Sequence, residues 1–193
     1  MKDGDAVLPT ILMTALKKNR KEICRILIER GADINASDSL GRSALVVAAK
    51  HSAANFYFLI SKGADVNVRV NDESETILML AVKMKRLGFC RRLLEGGADL
   101  NAISKTGKTA LIIAIEMRFK SCVRLLMDAG ADVNIKECGK TAIVYAIEEF
   151  YPPSYVQAIA KRGADLNVTM NDGETLLMLA ARNPFLIVLE LIF

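Results

Sequence analysis

The pentad Gly-Ala-Asp-aliphatic-Asn begins at Gly31, Gly63, Gly97, Gly130 and Gly163, so it returns after 32, 34, 33 and 33 residues. A period near 33 means that one supersecondary unit is copied along the chain, each copy burying its apolar face against the next. Aligned on the glycine, the copies run 2–35, 36–68, 69–102, 103–135, 136–168 and an incomplete sixth at 169–193. All 193 residues are therefore expected to form a single repeat domain.

Each copy reads as turn, helix, short loop, helix, turn. The first helix is expected to open at a hydroxyl residue, Thr10, Ser43, Thr76, Thr109, Thr141 or Thr175, whose side chain can accept a hydrogen bond from an orphan N–H of the first turn. Alanines recur inside it at Ala15, Ala48, Ala81, Ala114, Ala146 and Ala180, where neighbouring helices must approach closely. The second helix carries aliphatics at helical spacing, such as Ile23, Ile26 and Leu27, and stops at the pentad glycine. Glycine suits the left-handed conformation that closes a helix, and the following Asp and Asn favour a sharp turn into a hairpin-like finger.

These residues resemble the ankyrin repeat family, whose pattern is a turn glycine, Thr-Pro-Leu-His-x-Ala, a helix pair, then Gly-Ala-Asp-Val-Asn. The resemblance implies an all-α ankyrin-repeat solenoid of helix-turn-helix units joined by β-hairpin fingers, with about five full repeats and a truncated sixth. Two departures recur in every copy. The proline after the cap is replaced by Ile11, Ala44, Ile77, Ala110, Ala142 and Leu176, and the histidine by Met13, Val46, Met79, Ile112, Val144 and Met178. An apolar seam is expected where the family has a hydrogen-bonded histidine ladder. The finger between Asn67 and Thr76 is one residue longer than its neighbours and lacks the turn glycine, that from Asn134 to Thr141 is one shorter, and Phe150-Tyr151-Pro152-Pro153 lengthens a helix connection by one.

Composition narrows the function. Apolar residues make up 52% and charged residues 25%, with 26 basic side chains spread among 22 acidic ones for a net charge of +4. Nucleic-acid binding would want a basic stripe interleaved with aromatics, which this distribution does not supply. The longest apolar stretch, Phe185–Phe193, contains Glu190 and is well short of the ~20 residues a membrane-spanning helix needs. The N-terminus lacks the pattern of a secretory signal, so the chain is expected in the cytoplasm or nucleus. Cys24, Cys90 and Cys122 fall at one level of the second helix and read as small buried apolar residues, whereas Cys138 falls in a turn. With His51 the sole histidine, neither a zinc site nor a nucleophile–histidine pair can be assembled; no cofactor, metal or catalytic residue is expected.

Gly107-Lys108-Thr109 and Gly139-Lys140-Thr141 end like a phosphate-binding loop, yet Ala102 and Asn134 stand where its leading glycine belongs. Each tripeptide coincides with the turn glycine, a variable position and the helix cap. Phe185–Phe193 matches the start of a second helix without a closing pentad, an apolar end suited to further repeats, a fused domain or another chain.

The resemblance implies a non-catalytic protein–protein interaction scaffold, binding a partner protein or peptide on a concave finger and first-helix surface. By family register that surface carries Arg42, Lys50, His51, Arg69, Lys83, Met84, Ile103, Lys105, Lys108, Glu116, Met117, Lys136, Lys140, Glu148, Glu149 and Tyr151. Its early and middle fingers are chiefly basic, and Glu116, Glu148 and Glu149 come from later helices. The expected partner is acidic and apolar toward one end and more basic toward the other. The alternative is a ligand-sensing or substrate-recruitment module of a larger protein, holding a phosphorylated ligand through Lys108 and Lys140.

Overall fold

The structure, a computed structural model, describes residues 4–182. Phe185–Phe193 lies outside the described residues. Among the described residues eleven helices follow one another: α1 Gly4–Lys17, α2 Lys21–Glu29, α3 Ala44–His51, α4 Ala53–Ser61, α5 Ile77–Lys83, α6 Leu87–Glu95, α7 Ala110–Glu116, α8 Lys120–Asp128, α9 Ala142–Glu148, α10 Pro153–Ala160 and α11 Leu176–Arg182. They are the first and second helices of successive repeats. Residues 4–81 with 88–98 form one compact lobe, and 82–87 with 99–182 a second.

First and second helices are buried differently, as their sequences require. Residues 44–49 of α3, 110–115 of α7 and 142–147 of α9 are buried on all sides, hence their continuous apolar runs. The second helices bury one stripe, such as Phe56 and Leu59 of α4 or Val123 and Leu126 of α8, and keep their charges outward. The recurring alanines are all buried. In the first lobe α1 packs on α2 and α3, and α2 and α3 on α4; in the second α7 packs on α8 and α9, and α9 on α10 and α11.

The direction of stacking can be read from the outermost repeats. Ile11 is 42% exposed although its equivalents Ala44, Ile77, Ala110 and Leu176 are buried, so this position faces the preceding repeat. At the histidine-replacing position Met13, Val46, Met79, Ile112 and Val144 are buried apolar residues, but Met178 is 57% exposed. That position faces the following repeat.

A recurring set of hydrogen bonds between repeats comes instead from the pentad. In all five copies the Asp side chain accepts from the Asn backbone N–H two residues on, at 2.8–2.9 Å. The Asn side chain then reaches the next repeat. Asn35 Oδ1 accepts from the Asp65 N–H at 2.9 Å in the first lobe; Asn101 and Asn134 accept from Asp132 and Asp165 at 2.9 and 2.8 Å in the second. Asn67 and Asn134 also donate to the Gly97 and Gly163 carbonyls. The pentad glycines, at φ +82 to +89°, place these residues at the end of each second helix.

Four of the six expected caps form: Ser43, Thr76, Thr109 and Thr175 accept from Val46, Met79, Ile112 and Met178. Thr10 opens no helix, because α1 already begins at Gly4. Thr141 occupies the cap position but makes no side-chain cap bond, and its buried Oγ1 is without a partner among the described residues. Thr109→Val should therefore lower stability by about 1 kcal/mol. Thr141→Val should be neutral or stabilising, since it removes an unsatisfied buried hydroxyl. Urea unfolding of the two variants checks the contrast.

The irregular loops have local causes. In the longer finger Ser74, at φ +55°, takes the left-handed turn position, and the Asn71 side chain brackets Glu75 with two hydrogen bonds. In the shorter finger Cys138 and Gly139 both have positive φ between the paired residues Glu137 and Lys140, the two-residue turn that matches hairpin twist. Prolines at 152 and 153 initiate α10, with Pro153 at the first helical position, where its missing N–H costs nothing.

Candidate functional site

The candidate surface in each lobe consists of the fingers and the C-terminal ends of the first helices. In the first lobe its centre is Asp38. Arg42 donates to Asp38 Oδ2 through Nε and Nη2 at 2.9 and 2.6 Å, the Leu40 and Arg42 N–H groups donate to Oδ1, and Lys17 Nζ lies 3.6 Å from Oδ2. The Arg42 side-chain hydrogen bond, helped by those backbone donors, holds the Asp38 carboxyl far below the usual carboxylate range. A carboxyl depressed on folding stabilises the protein above its unfolded value of about 3.9, and that contribution disappears as pH falls through and below it. Stability measured against pH should therefore drop more steeply below about pH 4 in the native chain than in Asp38→Asn.

Arg42 is thus committed to its own finger. Lys50 and His51, at the end of α3, are exposed and make no polar contact among the described residues. Arg69 is exposed and donates to the Ser74 carbonyl across its own finger.

In the second lobe, residues eight apart pair from finger to helix. Lys108 Nζ is 2.5 Å from Glu116 Oε1, Lys140 Nζ is 2.6 Å from Glu148 Oε1, and Arg182 Nη2 is 2.8 Å from Glu174 Oε1. The hydrogen bond that Lys140 donates to Glu148 raises the Lys140 pKa. Each pair links the residue before a cap with the last turn of the helix it opens. Arg118 also reaches Glu149 in the next repeat, at 3.3 Å. The two glycine-lysine-threonine tripeptides therefore work as finger-to-helix clasps, and the three glutamates expected to give one end an acidic surface are matched by cations.

After this pairing, Lys105 and Lys136 are exposed at neighbouring finger positions with no ion-pair partner among the described residues. Ile103, 48% exposed, is close to Lys105 in sequence. Lys83 is exposed, while Met84 and Met117 are half-buried. Tyr151 does not belong to the accessible set. It is 3% exposed, its hydroxyl donates to the Ala114 and Ile115 carbonyls at 3.4 and 3.2 Å, and burial pushes its pKa up to about 12. The family register placed it outward, but the connection with one extra residue turns it inward onto the last turn of α7. The clasps were missed although a like-spaced charge pattern signals them: opposite charges at 108 and 116, 140 and 148, and 174 and 182.

No helix among the described residues is long and apolar enough to cross a membrane, and no group of three or more His, Cys, Asp or Glu among them is placed to hold a metal. Cys24, Cys90 and Cys122 are buried cysteines and Cys138 is an exposed one, none of them in a disulfide.

Comparison with known proteins agrees with this construction. The family described as "Ankyrin repeats (3 copies)" matches residues 2–70 and 56–137. Neurogenic locus notch homolog protein 1 of Cricetulus griseus is 33% identical over 100 residues, covering 51% of this chain and 4% of that protein. The 2-5A-dependent ribonuclease of Homo sapiens is 36% identical over 100 residues, covering 45% of this chain and 12% of that protein. The matched segment is thus a small part of each of these relatives. A crystal structure of an ankyrin repeat domain from Acinetobacter baumannii AYE superimposes with a TM-score of 0.82 at 29% identity, covering 94% of this chain and 95% of that one. With the family matched over well more than half of its length, and with the pentad, helix pairs and fingers in place, this chain belongs to the ankyrin repeat family.

Proposed function

We propose that the protein is a non-catalytic binding module that holds an acidic, partly apolar segment of another protein on its finger and first-helix surface. Ankyrin repeats generally mediate protein–protein interaction. What supports this particular surface is its division of labour: Arg42, Lys108 and Lys140 brace the fingers through carboxylates, while Lys105 and Lys136 project with no structural partner among the described residues. Braced fingers carrying free cations are pre-organised for an acidic partner, so little ordering cost is added on binding. Lys50 offers the same chemistry in the first lobe.

The test is Lys105→Glu combined with Lys136→Glu. Both sites are exposed, so unfolding should be unchanged. Affinity for a partner selected against the native chain should fall about tenfold or more, with a flatter salt dependence. Unchanged affinity and salt dependence would place the binding surface elsewhere.

Phosphorylated-ligand sensing through Lys108 and Lys140 has less support, because each ammonium already faces a glutamate. A nucleotide panel should leave the melting temperature unmoved.

A further inference from the structure

The second-helix side of the first lobe carries a surface distinct in sequence from the fingers. There α4 stands between α2 and α6, and its nine residues, Ala53–Ser61, include no charge, whereas both flanking helices carry several. A groove of about 510 Å³ runs along it, lined by Lys21, Ala54, Tyr57, Phe58, Ser61 and Arg92. Tyr57 is 39% exposed, and its ring sits edge-on to Phe56 and Phe89 at 5.8 and 5.5 Å, so it is a fixed aromatic surface. Gly88 makes this placement possible: a Cβ there would meet the Tyr57 hydroxyl at 2.7 Å. Lys62 Nζ stands over the Phe58 ring at 5.9 Å.

The two cations of the groove are not equally available. Its lining contains two cations and no carboxylate. Arg92 shares its charge with Glu95 at 3.2 Å, but Lys21 has no ion-pair partner among the described residues, and Arg91 beside it on α6 has none either. An aromatic ring packed edge-on against two others, with Lys21 beside it, combines a type of side chain that often anchors interfaces with a charge that favours an acidic partner.

We propose that this groove binds an acidic peptide segment of another protein, seating one aromatic or aliphatic side chain against Tyr57 and Phe58 while its carboxylates meet Lys21. The site shares no residue with the finger surface.

A displayed library of short random peptides, selected on the intact chain, tests this. The blocking variant is Lys21→Glu with Ala54→Glu. Both positions lie in the first turn of exposed helices, where an acidic residue favours the helix, so the fold is preserved. The expected result is a set of peptides with an apolar residue flanked by Asp or Glu, whose affinity falls about 10- to 100-fold in the blocking variant and is unaffected by Lys105→Glu with Lys136→Glu. Peptides whose binding ignores the blocking variant, peptides without acidic residues, or no enrichment would each overturn the proposal. So would phosphatidylserine vesicles binding in a Lys21- and Ala54-dependent manner while no peptide does.

Discussion

Phe56→Ala should remove about 3–5 kcal/mol from the stability of the first lobe. Phe56 is fully buried on α4 and stacks on Phe89 of the next repeat, with ring centroids 4.0 Å apart and planes 17° from parallel. Truncation deletes a ring from the junction of two repeats and leaves a cavity against Phe89 that close-packed neighbours fill only in part. Against a total of about 5–15 kcal/mol for a typical domain the loss is large. Urea unfolding followed by circular dichroism should show a lower midpoint. A change below about 1 kcal/mol would mean that the rings do not share a dry interface.

Tyr151→Ala should cost a similar amount, about 3–5 kcal/mol, in the second lobe. The ring is buried against Tyr155, with centroids 5.4 Å apart, and its hydroxyl supplies a donor to carbonyls in the last turn of α7. Tyr151→Phe keeps the ring and should lose only about 1 kcal/mol. Because burial raises the phenol to about 12, its ionisation opposes folding: the stability present below the unfolded value of about 10 is lost as pH rises through and beyond that value. Tyr151→Phe should lack this alkaline component. If Tyr151→Ala instead left stability intact and weakened partner binding, the residue would belong to the recognition surface after all.

The repeating architecture was legible because its determinants are local. A glycine at positive φ, an Asp bonding the backbone two residues on and a hydroxyl at a helix start each act within a few residues, so the pentad positions and the caps at Ser43, Thr76, Thr109 and Thr175 could be read directly. Contacts between repeats were harder to read. The role of Asn35, Asn101 and Asn134 as acceptors for the next repeat depends on residues about thirty positions away. The Lys108–Glu116 and Lys140–Glu148 clasps escaped because spacings of eight place charges on different elements, a finger and a helix, where helical periodicity gives no guidance. Tyr151 was misplaced for a related reason: one added residue in a connection decides whether a side chain points inward or outward. The groove beside Tyr57 is assembled from three helices and has no signature in any one of them.

The central claim is that each helix pair is stabilised by its immediate neighbours, which leaves fingers and outer faces free for recognition. A double-mutant cycle within the first lobe tests it most directly. Phe56→Ala and Phe89→Ala, in adjacent repeats, should show a coupling energy of about 1 kcal/mol or more, whereas Leu12→Ala and Phe89→Ala, two repeats apart, should be additive within about 0.5 kcal/mol. Equal coupling in both cycles would reveal a shared globular core and contradict the account.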